Sequence, residues 1–180
     1  MSELVAFPVE LRLDASDGRL MTGLAVPYGV VTMTTPHPGG ERFARGSFKR
    51  TVKNRARLPK LFRNHAHDQA IGVATDMRET DEGLLASWRI ADTPAGNAAL
   101  QEVREGVLDS LSVGFRAIRE DLVEGVREVR EAHLLEVSLV PLPAYEGARV
   151  MSLRAAADIV IPPRPDIDPE LVLQIGSRVW

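Results

Sequence analysis

Hydrophobic and polar positions alternate most regularly in two segments of the chain. The first is SLSVGF at residues 110–115, and the second is LLEVSLV at residues 134–140. Successive side chains of a strand point to opposite faces, so Leu111 and Val113 share one face while Ser112 lies on the other. Both segments are therefore predicted to be strands with one apolar face and one polar face.

The second of these strands carries a carboxylate on its polar face. The alternation places Leu135, Val137 and Leu139 together on the apolar face. It places Glu136 with Ser138 on the opposite face. A carboxylate is costly to bury between aliphatic side chains unless it has a partner. Facing the polar side of a neighbouring strand, Glu136 can instead hold a base in place.

The rest of the chain is typical of a mixture of strands and short helices. Residues 32–40 are rich in proline and glycine and are predicted to be a loop. GSF at residues 46–48 suits a helix start with Ser47 as the N-cap, and DTP at residues 92–94 predicts a second helix that Gly106 ends. The other predicted strands are residues 4–13 and 19–26, which form one hairpin, residues 58–64 and 71–78 around a histidine loop, residues 84–91, and a charged hairpin at residues 119–131 with its turn at Glu124-Gly125.

Length and composition narrow the classes of function. With 180 residues the chain fits one domain with tails, and its 44% apolar and 26% charged residues are ordinary for a globular protein. No apolar run is long enough to span a bilayer, and no basic segment precedes an apolar one at the start, so we expect a cytoplasmic protein without a membrane partner. The absence of cysteine excludes disulfides and thiolate metal sites. A net charge of −3 argues against a nucleic-acid partner.

Two histidines follow the apolar run at residues 58–62. Imidazole accepts and returns a proton near neutral pH, so His65 or His67 could serve as the base for a nucleophile. His65 and His67 with Asp68 are also adequate metal ligands, although no second cluster stands at a convincing spacing. The residues alone leave both interpretations open.

Ser112 is the candidate nucleophile. Gly114 shares its face and would let a substrate backbone approach closely. Ser110 lies on the same face and is the competing candidate. On residues alone, however, a strand serine is more often structural, and a strand carboxylate such as Glu136 more often pairs with a nearby arginine such as Arg116.

Several motifs together resemble the prohead maturation proteases of tailed phages. The resemblance covers residues 19–153, with the motifs in the same order and at compatible spacing. The motifs that carry it are ERF at residues 41–43, GSF at residues 46–48, NH at residues 64–65, IG at residues 71–72, LSVGF at residues 111–115, LEVSLVP at residues 135–141 and PA at residues 143–144.

This resemblance implies a serine protease that needs no metal or cofactor. In it, His65 would be the general base, Ser112 the nucleophile and Glu136 the residue that orients the base. The third member varies among relatives, because the related herpesvirus maturation proteases use a second histidine in the corresponding place. The backbone N–H groups of Ala144 and Tyr145 are the candidates for an oxyanion hole, since prolines have none to donate.

The resemblance also implies a fold, and the proline-rich composition after residue 154 adds a domain organisation. The fold would be α+β, a mostly antiparallel and partly closed β-barrel with a few short helices. Residues 1–154 would form the protease domain, and residues 155–180 would form a proline-rich tail that favours an extended linker.

The implied setting is the immature capsid, or procapsid, in the host cytoplasm. The enzyme would cleave segments of the major capsid protein or scaffold there, and itself, and a homo-oligomer would be compatible with this role. Two alternatives stay open. One is a non-catalytic assembly or scaffold factor on the same fold, and the other is a metal-dependent hydrolase that uses His65, His67 and Asp68.

Overall fold

Strands make up most of the structure, a computed structural model that describes residues 3–8, 12–13, 18–34 and 37–141. Two α-helices and one short 3-10 helix accompany them. The strands are β1 (Glu3–Pro8), β2 (Arg12–Leu13), β3 (Leu20–Pro27), β4 (Thr32–Thr34), β5 (His37–Phe43), β6 (Lys60–Arg63), β7 (Ala66–Glu79), β8 (Gly83–Ile90), β9 (Ser110–Val123) and β10 (Val126–Val140); the helices are α1 (Lys49–Lys53) and α2 (Pro94–Arg104), and the 3-10 helix is Arg55–Arg57.

All described strands belong to one sheet. Its main path runs β1-β9-β10-β6-β7-β8-β3-β2, and β5 joins it by pairing with β10 and with β4. The pairs β10–β5 and β10–β6 are parallel and the others antiparallel. Among the described strands the path ends at β1 and β2, which do not pair with each other. The predicted strand-rich fold with few helices is thus confirmed, but the sheet is not closed into a barrel.

The hairpin of β9 and β10 lies at the centre of the site described below. Both segments with regular alternation belong to it, and their prediction as strands is confirmed. Its turn is Glu124-Gly125, where both residues adopt a left-handed backbone with φ of 54° and 82°. The second edge of β10 pairs with β5 near the turn and with β6 at the far end. Between them α1 covers the edge, and the Ala132 N–H donates to the carbonyl oxygen of Ser47 at 2.8 Å.

The apolar face of this hairpin forms part of the core. Leu111 and Val113 are fully buried, as the alternation predicts. Phe115 is buried as well, and its ring lies 4.9 Å from the ring of Phe43 in an edge-on arrangement. Burying such a side chain contributes about 1.5–3 kcal/mol. Burial of the apolar face therefore fixes the register of the hairpin. The register in turn fixes the positions of the residues on the opposite, polar face.

A β-bulge in β10 corrects the predicted faces of the second segment. Leu134 pairs with Phe115 and Glu136 pairs with Gly114, so Leu135 is the extra residue between them. Leu135 is 43% exposed, whereas Leu134 is buried in its place. The prediction that Leu135 shares the core face was therefore wrong. The bulge also moves His133, which pairs with Arg116, onto the same face as Glu136.

Two predictions near the N-terminus were also wrong. Residues 32–40 are not a loop, because most of them form the antiparallel pair β4 and β5, and β5 continues to pair with β10. Residues 4–13 do not make one hairpin strand. Their first part belongs to β1, which pairs with β9, and only β2 pairs with β3. In both cases the strand forms by pairing with a strand that lies far away in the sequence, β10 for β5 and β9 for β1.

The first helix begins differently from the prediction, and the second as predicted. Phe48, not Ser47, is the N-cap of α1, and its N–H donates to Glu79 Oε1 at 2.9 Å. In α2, Thr93 is the N-cap and its Oγ1 accepts from the Gly96 N–H at 3.1 Å. Burial raises the pKa of Tyr28, and the adjacent Glu79 carboxylate raises it further. No helix in the described part of the chain is long and apolar enough to cross a membrane.

Candidate active site

His65 lies in a strained turn at the end of β6. Asn64 and His65 both have left-handed backbones, with φ of 50° and 58°, which costs on the order of 1–3 kcal/mol for each residue. Hydrogen bonds hold the turn, because the Asn64 N–H donates to the carbonyl oxygen of Leu139 at 2.9 Å. Just before the turn, Arg63 pairs with Glu102 of α2 at 2.6 Å. Strain that the surroundings maintain in this way is typical of functional sites.

The imidazole of His65 contacts the carboxylate of Glu136. The distance from Nδ1 to Oε1 is 2.6 Å, and the side chains are 25% and 5% exposed. An ionised carboxylate only accepts hydrogen bonds, so we assign the ring proton to Nδ1, which donates to Glu136. This tautomer leaves Nε2 as the acceptor. A base with this orientation can remove a proton from a neighbouring hydroxyl.

Ser138 forms hydrogen bonds to both His65 and Glu136, in addition to the bond between those two residues. Its Oγ donates to Glu136 Oε2 at 2.7 Å and accepts from the backbone N–H of His65 at 3.2 Å. Both oxygens of the buried carboxylate therefore have a donor, which offsets the cost of burying its charge. The sequence reasoning placed Ser138 on the face of Glu136 but assigned it no role. Its position on the same face as Glu136 was the signal from which a hydrogen bond between the two side chains could have been predicted.

Gly114 provides the space for the Glu136 side chain. The two residues are paired across β9 and β10. A Cβ atom at position 114 would lie 2.8 Å from Glu136 Cγ and 2.9 Å from Oε1. Glu136 could not keep its position above a residue with a side chain, so this glycine is needed for the hydrogen bond to His65.

Ser112 lies beside this cluster on the same face of the sheet. It pairs with Ser138 across β9 and β10, and side chains directly opposite in an antiparallel pair have Cβ atoms about 4.5–5.5 Å apart. Ser112 is 2% exposed. The Oγ of the competing Ser110 donates to Asp109 Oδ1 at 2.9 Å. The structure thus joins His65 to Glu136 by a hydrogen bond and places Ser112 opposite Ser138, on the face of the sheet that Glu136 shares.

The residues of the metal hypothesis do not come together. The ring of His67 lies 5.4 Å from the ring of Phe62, and Asp68 is exposed. Across the part of the chain that the structure describes, no group of three histidine or carboxylate side chains is arranged to hold a metal ion. Ala144 and Tyr145, the oxyanion-hole candidates, lie outside the described residues, as does the predicted tail at residues 155–180.

Both a family model and a solved structure are similar to this chain. The family model of the caudovirus prohead serine proteases matches residues 7–159. Among solved structures, the capsid assembly protease gp21 of bacteriophage T4 has a similar fold, with a TM-score of 0.56 and 15% sequence identity. The superposition covers 78% of this chain and 97% of the T4 chain. No curated protein sequence matches the chain.

Replacing Ser138 by alanine should destabilise the fold locally. The change leaves the His65 N–H and Glu136 Oε2 without this partner, and an unsatisfied buried group costs about 1–3 kcal/mol. We expect the free energy of unfolding, measured by urea denaturation, to fall by about that amount. Thr75→Ala is the control, because its hydroxyl is exposed and donates to the Ser87 carbonyl oxygen, and it should change stability by less than about 0.5 kcal/mol. Equal effects of both changes would contradict the bridging role of Ser138.

Proposed function

The chain belongs to the caudovirus prohead serine proteases, and we propose that it is a serine endopeptidase with Ser112 as nucleophile, His65 as general base and Glu136 as the orienting carboxylate. The observation that supports this most strongly is the 2.6 Å hydrogen bond between His65 Nδ1 and Glu136 Oε1, on the face that Ser112 shares. A base oriented by a third group beside a hydroxyl is the general arrangement of an activated nucleophile.

The reaction would proceed in two stages. His65 Nε2 takes the proton of Ser112 Oγ as that oxygen attacks the carbonyl carbon of the substrate peptide bond. The Glu136 carboxylate stabilises the imidazolium that forms. The tetrahedral intermediate collapses, the C–N bond breaks, and His65 returns the proton to the leaving amine. Water then attacks the acyl-enzyme with His65 again as base, which releases the acid and restores Ser112.

Two further elements complete the proposed catalytic site. The negative charge on the tetrahedral intermediate needs nearby donors, and we assign this role to the backbone N–H groups of Ala144 and Tyr145. Access is the second element. Ser112 is only 2% exposed, and a peptide carbonyl must contact its Oγ, so neighbouring chain has to move aside before the substrate can react.

The proposed substrates are capsid components. Membership of the prohead proteases and the fold shared with a capsid assembly protease support cleavage of major-capsid or scaffold segments inside the procapsid. The enzyme would then act after the shell has assembled around it.

Ser112→Ala should abolish proteolysis and leave the fold intact. The change removes only the attacking oxygen, and kcat should fall by a factor of about 10⁶. The matched control is Ser110→Ala, whose hydroxyl is bonded to Asp109, and it should retain activity. Cleavage of a capsid substrate by purified protein measures both variants, and a serine-directed fluorophosphonate should label the unmodified chain but not Ser112→Ala. If Ser110→Ala is the inactive variant, the assignment of the nucleophile is wrong.

Glu136→Gln should lower kcat while keeping the shape of the site. The amide occupies the same volume, but it carries no charge to stabilise the imidazolium, and replacing the carboxylate of a triad in this way costs about 10⁴ in kcat. Steady-state kinetics on a peptide substrate test this, with thermal unfolding as the check that the variant is folded. A folded variant with the kcat of the unmodified protein would remove Glu136 from the mechanism.

We extend the proposal to self-cleavage within residues 155–180. Pro162, Pro163, Pro165 and Pro169 lack backbone N–H groups and have a fixed φ, and such a composition favours the extended backbone that a protease binds. Attachment to the enzyme would raise its effective concentration to about the millimolar range. Intact mass after incubation should show loss of C-terminal residues in the unmodified chain but not in Ser112→Ala. If the unmodified chain cleaves a capsid substrate and keeps its full mass, self-cleavage in the tail is excluded.

A further inference from the structure

A cavity of about 520 Å³ opens beside the proposed catalytic residues. It lies between the polar face of β9 and β10 and the segment that contains α1 and the 3-10 helix. Leu135, the bulged residue next to Glu136, forms one side of it, and Arg57 of the 3-10 helix forms another. The cavity therefore lies next to Glu136 along β10, and Arg116 of β9 lines it from the face that Ser112 shares.

The lining of the cavity is cationic. Arg50, Arg57 and Arg116 contribute to it, and no carboxylate is found among the described residues that line it. Arg50 pairs with Glu131 at 3.1 Å, which partly offsets its charge. Arg57 and Arg116 are exposed and have no acidic partner in the described part of the chain. Two uncompensated guanidinium groups thus face one concave space.

Apolar surface accompanies these charges. Ile118 and Leu135 line the same cavity and are 49% and 43% exposed. Such exposed aliphatic groups suit the side chains and backbone of a peptide better than they suit a free inorganic anion. Arginine binds carboxylates through two parallel N–H donors. The combination fits an extended peptide that carries an acidic side chain.

The register of β9 relates the cavity to the proposed nucleophile. Ser112, Gly114 and Arg116 follow each other at every second position, so they share one face. Arg116 lies four positions from Ser112, or about 13 Å along the strand. An extended peptide also rises by about 3.3 Å per residue, so about 13 Å corresponds to about four of its residues. Because the Arg116 side chain can reach back along the strand, a side chain in the cavity would belong to a residue about two to four positions from the cleaved bond.

We propose that this cavity is a substrate subsite that binds a glutamate or aspartate side chain about two to four residues from the scissile bond. Arg57 and Arg116 hold the carboxylate, and Leu135 and Ile118 pack against the adjoining peptide. The assignment rests on the proposed function, because it places the substrate across Ser112. It goes beyond that function by naming what the protease recognises.

Binding of peptides to the full-length Ser112→Ala protein tests the subsite without cleavage. The probes are fluorescein-labelled decapeptides with one glutamate moved through successive positions, each compared with its glutamine counterpart by fluorescence anisotropy. We expect the best glutamate peptide to bind at least about tenfold more tightly than its counterpart, since a hydrogen bond to a charged group is worth that much. Equal affinity of every glutamate and glutamine pair would overturn the proposal.

Variants then assign the preference to the cavity. Adding Arg57→Ala or Arg116→Ala should remove most of the preference for glutamate, and Arg116→Glu should favour a lysine peptide instead. Arg78→Ala is the matched control, because Arg78 is an exposed arginine on β7 outside the cavity, and it should keep the preference. Thermal unfolding shows that each variant is folded. A loss with Arg78→Ala as large as with Arg116→Ala, or displacement of the peptide by equimolar inorganic phosphate, would overturn the subsite.

Labelling of the unmodified chain by a fluorophosphonate separates this proposal from the proposed function. Labelling reports an activated Ser112 and does not require the cavity. Labelling without any preference for glutamate would overturn the subsite and leave the protease intact. Preference for glutamate without labelling would support the acidic-peptide subsite and overturn Ser112 as the nucleophile.

Discussion

The buried carboxylate of Glu136 is the constraint on which the arrangement of the site depends. A charged group with 5% of its side chain exposed is stable only if its oxygens are paired. Here one oxygen accepts from His65 and the other from Ser138. The side chain has room because Gly114 has no Cβ atom, and the bulge at Leu135 determines which residue of β10 lies opposite that glycine. The same hydrogen bonds therefore stabilise the local fold and orient the proposed base.

Alternation is sufficient to predict β9 and β10 and to place Ser112 on the polar face, because a period of two belongs to any strand. It cannot predict the bulge. Leu134 and Leu135 are both apolar, and nothing local decides which of them keeps the core position. The consequence is that Leu135 is exposed and does not lie on the core face, and that His133 lies on the same face as Glu136. The sequence therefore places Ser112 and Glu136 on the polar faces of their strands, but it does not place Leu135 and His133, which border the neighbouring cavity.

Elements whose partners lie far away in the chain escape local reasoning. Prolines and glycines in residues 32–40 favour a loop, yet β5 pairs with β10 at Arg127–Glu41 and its neighbours, with a large separation in sequence. The first helix shows the same limit at smaller scale, because its N-cap is Phe48 and not Ser47, and the Phe48 N–H donates to Glu79, 31 residues further along the chain. By contrast, the hydrogen bond that caps α2 is local, because Thr93 accepts from Gly96, which is three residues further along the chain. The start of α2 can therefore be predicted from the sequence.

The strained turn at Asn64 and His65 is attached to the strand that carries Glu136. Its backbone N–H groups donate to Leu139 and to Ser138, so the turn is fixed to β10 at two points. β10 in turn pairs with β9, which carries Ser112 and Arg116. These hydrogen bonds and strand pairs therefore hold the proposed base, carboxylate and nucleophile in one fixed arrangement. Because Ser112 and Arg116 belong to the same strand, β9 fixes the distance between the proposed nucleophile and the cationic cavity, which is what recognition of a side chain at a set position from the cleaved bond requires.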